Sequence, residues 1–298
     1  MSTADFPDAY LVGAPKAGSS ALMNMLIQHP EIQGCGIKEP NYHCRDLDMP
    51  GARTTREYLK LCVRQPNKKV LVDGSILNLF SQEAAKSIHS CSPDARILMV
   101  LRNPVEAMYS WHSQMVFTGN EPIVDFREAL EAESDRRNGL RVPAFGASSR
   151  CPELLYYSAV MKYAEQIPRY LALFPRDHIH ILLQEDLRRD PANVSSAVFA
   201  FLGVSQFKPV AESVNANKVR RSPGLHRTLK QIFAAPARVL LPVRLRWQLI
   251  RMLDRWNSVE TPRPKMTDQL AQTLAEQVRP DVEQLEILLG RTLNHWLR

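Results

Sequence analysis

The run Tyr10-Leu11-Val12-Gly13-Ala14-Pro15-Lys16-Ala17-Gly18-Ser19-Ser20-Ala21-Leu22 constrains the fold more than any other stretch of the chain. It reads as a buried strand that passes through a glycine-spaced loop into a helix. That local shape offers an anion a set of backbone N–H groups and the positive end of a helix dipole. Gly13 and Gly18 have the spacing of a nucleoside triphosphate loop, G-x-x-x-x-G-K-(S/T). In such a loop the Lys after the second Gly reaches the β/γ-phosphates and a hydroxyl ligates Mg²⁺. Ser19 stands where that Lys belongs, and the lysine lies inside the loop as Lys16. The N–H groups of Ala17, Gly18, Ser19, Ser20 and Ala21 are therefore expected to hold a phosphate without clamping a β/γ pair. No metal is expected.

A second anion-seeking element follows a strand. Ile97 to Leu101 is a continuous apolar run of the kind buried on both faces of a parallel sheet, and it ends in Arg102-Asn103-Pro104. A phosphoryl-transferring enzyme would be expected to carry an Asp for Mg²⁺ at such a strand end; here there is a guanidinium, which forks onto anions. Pro104 begins a helix with Ser110 on it.

Pro15 to Leu22 is similar at every position to the 5′-phosphosulfate loop, P-K-x-G-(S/T)-(S/T)-x-L, of sulfotransferases that use 3′-phosphoadenosine 5′-phosphosulfate (PAPS) and release the desulfated nucleotide PAP. Arg102 with Ser110 resembles their 3′-phosphate motif, R-(N/D)-P followed by a Ser six positions after the Pro. Ile37-Lys38-Glu39-Pro40-Asn41-Tyr42 resembles the K-E-P-x-(F/Y) segment of heparan sulfate 3-O-sulfotransferases and their bacterial relatives. The resemblance implies a PAPS cofactor. It implies Glu39 as the general base that removes the acceptor's proton, and Lys16 as the cation that offsets charge on the leaving oxygen. Tyr163 falls in a helix similar to the family's. Lys218, Arg220 and Arg221 resemble a basic loop that folds over the cofactor. Lys38, Glu39 and His43 are expected on the acceptor side. The implied acceptor is a hydroxyl of a carbohydrate, a lipid or another small molecule.

One stretch departs from the pattern. The heparan-type enzymes carry K-(S/T)-P after the second core strand, whereas this chain has Val72-Asp73-Gly74-Ser75-Ile76. A second active-site lysine is missing there, and Lys38 is the candidate substitute. Two other readings stay open: a nucleotide kinase of the same core, and a noncatalytic nucleotide- or anion-binding protein.

At 298 residues, 45% of them apolar, the chain can bury one large core. Strands are expected near 9–13, 69–73, 96–101 and 178–183, with helices near 19–29, 81–90, 104–117, 125–135, 153–173 and 191–202. This alternation implies an α/β, P-loop-like three-layer fold with a central parallel sheet flanked by helices. The expected organisation is a single domain over 1–298, with a core near 9–207 and a basic loop and terminal helices from 208 on. Residues 119–150, rich in charge and broken by Pro and Gly, read as an insertion or lid.

Five cysteines with no C-x-x-C spacing suggest reduced thiols and argue against zinc. No apolar run approaches a membrane span, so a cytoplasmic location is expected. Charge is uneven: Lys218 to Lys265 holds twelve Lys or Arg against Asp254 and Glu260. That segment reads as basic amphipathic helices, core-packing or in peripheral contact with an anionic surface. Nucleic acid is not an expected partner, because no recognised binding module accompanies the patch. The oligomeric state is left open.

Overall fold

The computed structural model describes residues 6–144, 146–210, 218–220, 258–261 and 263–297. Its centre is a five-stranded parallel sheet in the order β2-β3-β1-β4-β5, built from β1 (Ala9–Gly13), β2 (Ile32–Gly34), β3 (Val70–Asp73), β4 (Arg96–Leu101) and β5 (Ile179–Leu183). β1 is buried along its whole length and β4 at every residue after Arg96, as strands covered by helices on both faces must be. β1 pairs with both β3 and β4, and Gly13 lies opposite Val100. The chain order reverses direction across the sheet at β1, so the carboxyl ends of β1 and β4 form the crevice where open α/β sheets bind ligands.

Helices begin and end where their caps dictate. α1 (Ser19–Ile27) starts at Gly18. α2 (Thr55–Leu61) carries a capping box between Thr54 and Glu57. α3 (Ala84–Cys91) precedes β4. α4 (Pro104–Thr118) has Pro at its first turn, the Asn103 side chain accepting from the N–H groups of Val105 and Glu106, and Gly119 closing it in the left-handed conformation. α5 (Phe126–Arg137), α6 (Tyr157–Val160) and α7 (Tyr163–Leu171) follow, then α8 (Gln184–Arg189) and α9 (Pro191–Leu202), the latter capped by Asp190. A short antiparallel pair, β6 (Lys218–Arg220) with β7 (Ser258–Glu260), precedes α10 (Asp268–Leu289).

Several expectations need correction. Residues 153–173 do not form one helix. The chain breaks at Lys162, and α7 restarts because the Asp281 carboxylate, on α10, accepts the N–H groups of Tyr163 and Ala164, both at 3.1 Å. Residues 119–150 are no lid. α5 packs Phe126, Ala129 and Ala132 into the core, and a fully buried ion pair joins Arg136 to Glu121 at 2.8 Å. The thiols are not all reduced: a disulfide joins Cys35 to Cys62, leaving Cys44, Cys91 and Cys151 free. β2 and α2 bring those two cysteines together across 27 residues, a pairing that counting and local spacing cannot reveal. Among the described residues no helix is long and apolar enough to cross a membrane. Arg221 and most of the basic stretch up to Lys265 lie outside the described residues, and Lys218 and Arg220 are placed only as the ends of β6.

Candidate active site

The loop between β1 and α1 is fixed by backbone geometry. Gly13 has φ +152°, and a Cβ added there would lie 2.3 Å from the Val100 carbonyl oxygen, so only a glycine lets the chain leave the sheet at this point. Lys16 takes φ 66°, a left-handed conformation uncommon for a residue with a side chain. It is pinned there through its carbonyl oxygen, which accepts from Arg102 Nη1 at 3.2 Å and from Gln184 Nε2 at 3.1 Å. The ends of β1, β4 and β5 thus converge on one peptide group.

Around this loop opens a cleft of about 1790 Å³ lined by Lys16, Gly18, Ser19, Ser20, Ala21, Lys38, Glu39, Arg102, Ser110 and Arg263, among others. Lys16 Nζ donates to Gln114 Oε1 of α4 at 3.1 Å. Burial pushes the Lys16 ammonium below its ordinary pKa, and the nearby charges of Arg263, Arg102 and Lys38 push it further in the same direction. Four cations sharing a half-buried space repel one another, and a polyanion relieves that repulsion. Glu39 is the only carboxylate among the described residues that line the cleft.

Lys38 and Glu39 sit where the segment after β2 crosses the end of β3. Gly74 allows the crossing, since a Cβ there would come within 2.9 Å of the Lys38 carbonyl oxygen. Lys38 Nζ reaches Ser20 Oγ at 2.9 Å, Ser19 Oγ at 3.4 Å and Glu39 Oε1 at 3.1 Å. A lysine from the Glu39 segment therefore stands over the phosphate loop, in a chain whose β3 ends in Asp73. That aspartate is fully buried and accepts from Tyr58 OH at 2.7 Å and from the N–H of Ser75 at 2.8 Å. Burial raises its pKa above the usual carboxylate range. Ser75 in turn accepts the Asn41 N–H at 2.9 Å, which anchors the far side of the Glu39 segment. The Cys35–Cys62 bridge anchors the near side.

The Arg102 fork is already engaged. Its Nε and Nη2 both meet Glu106 Oε2, at 3.1 and 2.7 Å, one helical turn on. Ser110, assigned with Arg102 on sequence, instead accepts a hydrogen bond from Arg263 Nη2 at 3.0 Å. No motif singled out Arg263; the sequence signal was only the basic excess of the stretch that contains it. Gln114 and Gln184 were missed for the same reason, that an isolated Gln carries no pattern.

Two expected site residues are elsewhere. His43 is fully buried, hydrogen-bonded through Nδ1 to Ser87 Oγ at 2.9 Å and surrounded by the rings of Tyr10, Tyr42 and Tyr58. Burial lowers its pKa to about 3, so it is a neutral core residue and does not face an acceptor. Tyr163 is likewise fully buried, its hydroxyl donating to Met161 Sδ at 3.3 Å, and it does not line the cleft. His112, on α4, spends Nε2 on the Ile123 carbonyl at 2.9 Å.

The wall beside Glu39 is largely apolar. Asn41 is tied to Ser75 and to the Pro50 carbonyl, and Met49, Ile76 and Leu77 line the cleft together with Glu39. Trp111, Met115 and Phe117 of α4 line the same cleft.

A parallel sheet with a modified phosphate loop at its switch point and a cation-lined crevice defines a P-loop-like anion-binding α/β protein. The model of the sulfotransferase domain matches residues 6–235, and the chain belongs to that family. It is 30% identical over 203 residues to mouse heparan sulfate glucosamine 3-O-sulfotransferase 6, covering 67% of this chain and 53% of that protein. It is 23% identical over 220 residues to a bifunctional heparan sulfate N-deacetylase/N-sulfotransferase of Caenorhabditis briggsae, covering 69% of this chain and 24% of that one. The chain thus spans about half or less of the length of these curated relatives. The crystal structure of a sulfotransferase from Alicyclobacillus acidocaldarius superposes with a TM-score of 0.73 at 26% identity, covering 98% of this chain and 99% of the other.

Proposed function

We propose that this chain transfers a sulfuryl group from PAPS to the hydroxyl of an acceptor by in-line displacement. The observation that carries the reading is the convergence of Lys16, Lys38, Arg102 and Arg263 on one cleft in which Glu39 is the single carboxylate among the described lining residues. When bound, PAPS supplies the activated sulfuryl group. The N–H groups at the start of α1 and the Ser19 and Ser20 hydroxyls hold its 5′-phosphate side, and the cations of the Arg102–Ser110 region hold its 3′-phosphate side. Lys16 offsets negative charge on the phosphate that remains as the sulfur–oxygen bond breaks. Glu39 accepts the acceptor's proton as the new bond forms, and Lys38, between Glu39 and the loop hydroxyls, orients that carboxylate. The named relatives act on heparan sulfate, and a carbohydrate acceptor belongs in any test. The wall of Met49, Ile76, Leu77, Met115 and Phe117 favours an acceptor with an apolar body beside its hydroxyl. With a disulfide present, the cysteines no longer argue for a reducing compartment.

The test is turnover of labelled PAPS against sugars, lipid alcohols, phenols and heparan-type oligosaccharides, with and without EDTA. Label should move to at least one hydroxyl acceptor, and chelation should leave the rate unchanged. Tighter binding of ATP with Mg²⁺ than of PAP, together with metal-dependent phosphoryl transfer, would replace the reading with a kinase.

A further inference from the structure

The segment that carries Lys38 and Glu39 lies inside a covalent ring. Residues 35–54 form no helix or strand, α2 follows at Thr55, and the disulfide joins Cys35, the residue after β2, to Cys62, the residue after α2. β2 is three residues long and stands at the edge of the sheet. The end of α2 and the stretch after it cover that edge. The Gly36 N–H donates to the Leu61 carbonyl at 2.6 Å, Gln33 Nε2 to the Val63 carbonyl at 2.8 Å, and the Gln65 N–H to Gln33 Oε1 at 2.7 Å. The bridge sits among these hydrogen bonds, close in sequence to Lys38 and Glu39.

The packing under the ring is small. Phe6, Tyr42, Ala52, Tyr58, Cys62 and Leu71 form a buried cluster of their own, separate from the main core. A cross-link across 27 residues restricts the open chain, so it adds order where few apolar contacts supply it. The phosphate loop is held by other means, through Gly13 against Val100 and the Lys16 carbonyl on Arg102 and Gln184. Opening the bridge therefore loosens Lys38 and Glu39 and leaves the anion cradle in place. Cys62 is 2% exposed whereas Cys35 is partly exposed, so an external thiolate meets Cys35 first. Cys91 packs against the same cluster as a free thiol, and burial raises its pKa, which makes it a poor nucleophile toward the bridge at neutral pH.

We propose that the Cys35–Cys62 bridge is a redox clamp on the Glu39 segment: the oxidised chain holds Lys38 and Glu39 in place for turnover, and a dithiol reductant releases them and lowers turnover. The proposal rests on the sulfuryl-transfer reading above. In the opening step a thiolate of the dithiol attacks Cys35 Sγ, the S–S bond breaks, and Cys62 leaves as a thiolate that takes up a proton. The second thiol of the reductant, as its thiolate, then displaces Cys35 from the mixed disulfide, and Cys35 is protonated in turn. The protein gains two electrons and two protons, and the dithiol is oxidised to its disulfide.

The test uses the full chain with dithiothreitol as the dithiol, alkylation and mass spectrometry to count open thiols, and turnover of labelled PAPS with an acceptor from the panel above. Opening the bridge is expected to lower kcat by roughly ten- to a hundredfold, as displacement of a reacting group by about 1 Å does, with PAP affinity within about threefold. Reoxidation should restore the rate. Hydrogen exchange should rise in peptides covering residues 36–54 and stay level over residues 9–27. Cys35→Ser combined with Cys62→Ser should match the reduced wild type and ignore dithiothreitol, while Cys91→Ser should respond as the wild type does. If the serine pair does not fold, the reversible response of the wild type decides alone. An unchanged kcat with both cysteines alkylated after reduction, or alkylation of both in protein never exposed to reductant, overturns the clamp and leaves the sulfuryl-transfer reading standing. A parallel collapse of PAP binding would mean loss of the fold rather than release of one segment, and overturns it as well. No transfer by the oxidised chain to any acceptor removes the sulfuryl-transfer reading, and the clamp falls with it.

Discussion

Two ion pairs in this molecule show how the same chemistry can serve the fold or serve a cleft. Glu121 and Arg136 are completely buried, and Glu121 also accepts from Tyr157 OH at 2.6 Å and the Ile123 N–H at 2.9 Å. Three donors from within the protein thus converge on the Glu121 carboxylate. Lys38 and Glu39 meet at 3.1 Å but remain about a third exposed, at 34% and 33%, along the edge of the large cleft. Their partners can be exchanged for those of a ligand at little desolvation cost. A fully buried pair holds residues 119–150 onto the core, whereas a partly exposed one at a cleft edge is available for proton transfer. The charges do not distinguish the two; burial does.

The largest effect that can break this comparison is on turnover. Glu39→Gln preserves size and most hydrogen bonding, and in steady-state kinetics it should lower kcat by roughly 10² to 10⁴ with PAP affinity within a few fold and thermal stability almost unchanged. Near-normal turnover in that variant would place Lys38–Glu39 beside Glu121–Arg136 as a structural pair. Next comes the buried pair. Arg136→Met leaves Glu121 buried and uncompensated, and chemical denaturation should show a loss of about 3 to 5 kcal/mol, much of it recovered when Glu121→Gln is added. Turnover per folded molecule should not change; if it does, residues 119–150 reach the chemistry by a route their packing does not suggest.

The smallest effect concerns His43, four residues after Glu39 and wholly on the buried side. Its folded pKa of about 3 lies below its ordinary value near 6.5, so the unfolded chain takes up a proton that the folded chain refuses. Stability from this group is therefore full above pH 6.5 and is lost as pH falls, by about 1.4 kcal/mol per unit. Melting curves from pH 7 to 5 should fall less steeply for His43→Asn than for the wild type. Equal slopes would mean that His43 is solvated, and would return it to the acceptor side where its place in the sequence puts it.

What could be read from the sequence was whatever is contiguous. Strand β1, the loop at Lys16, strand β4 and the Arg102-Asn103-Pro104 corner each carry their signal within a few residues, and all lie at the sheet positions their pattern implies. β2 was missed because three residues are too few to show a period, and the break before α7 because its cap, Asp281, comes from 117 residues away. His43 looked available because it follows a reactive-looking segment; only packing against three tyrosines shows that it is not. Arg263 and the Cys35–Cys62 bridge are products of long-range closure, which no local window contains.

The contact at Gly13 divides what can drift in this protein from what cannot. Side chains such as Leu11, Val12 and Leu98 can trade volume with their neighbours over generations, since a core accepts many fillings of equal size. The departure of the loop from the sheet is set by main chain against main chain, Gly13 on Val100, with the Ala14 N–H donating to the Val100 carbonyl at 2.9 Å. Repacking the interior therefore leaves the anchorage of the anion cradle in place. A lineage of such chains could diverge widely in its hydrophobic residues and in the wall beside Glu39, changing which hydroxyl it receives, while the nucleotide end stays in register.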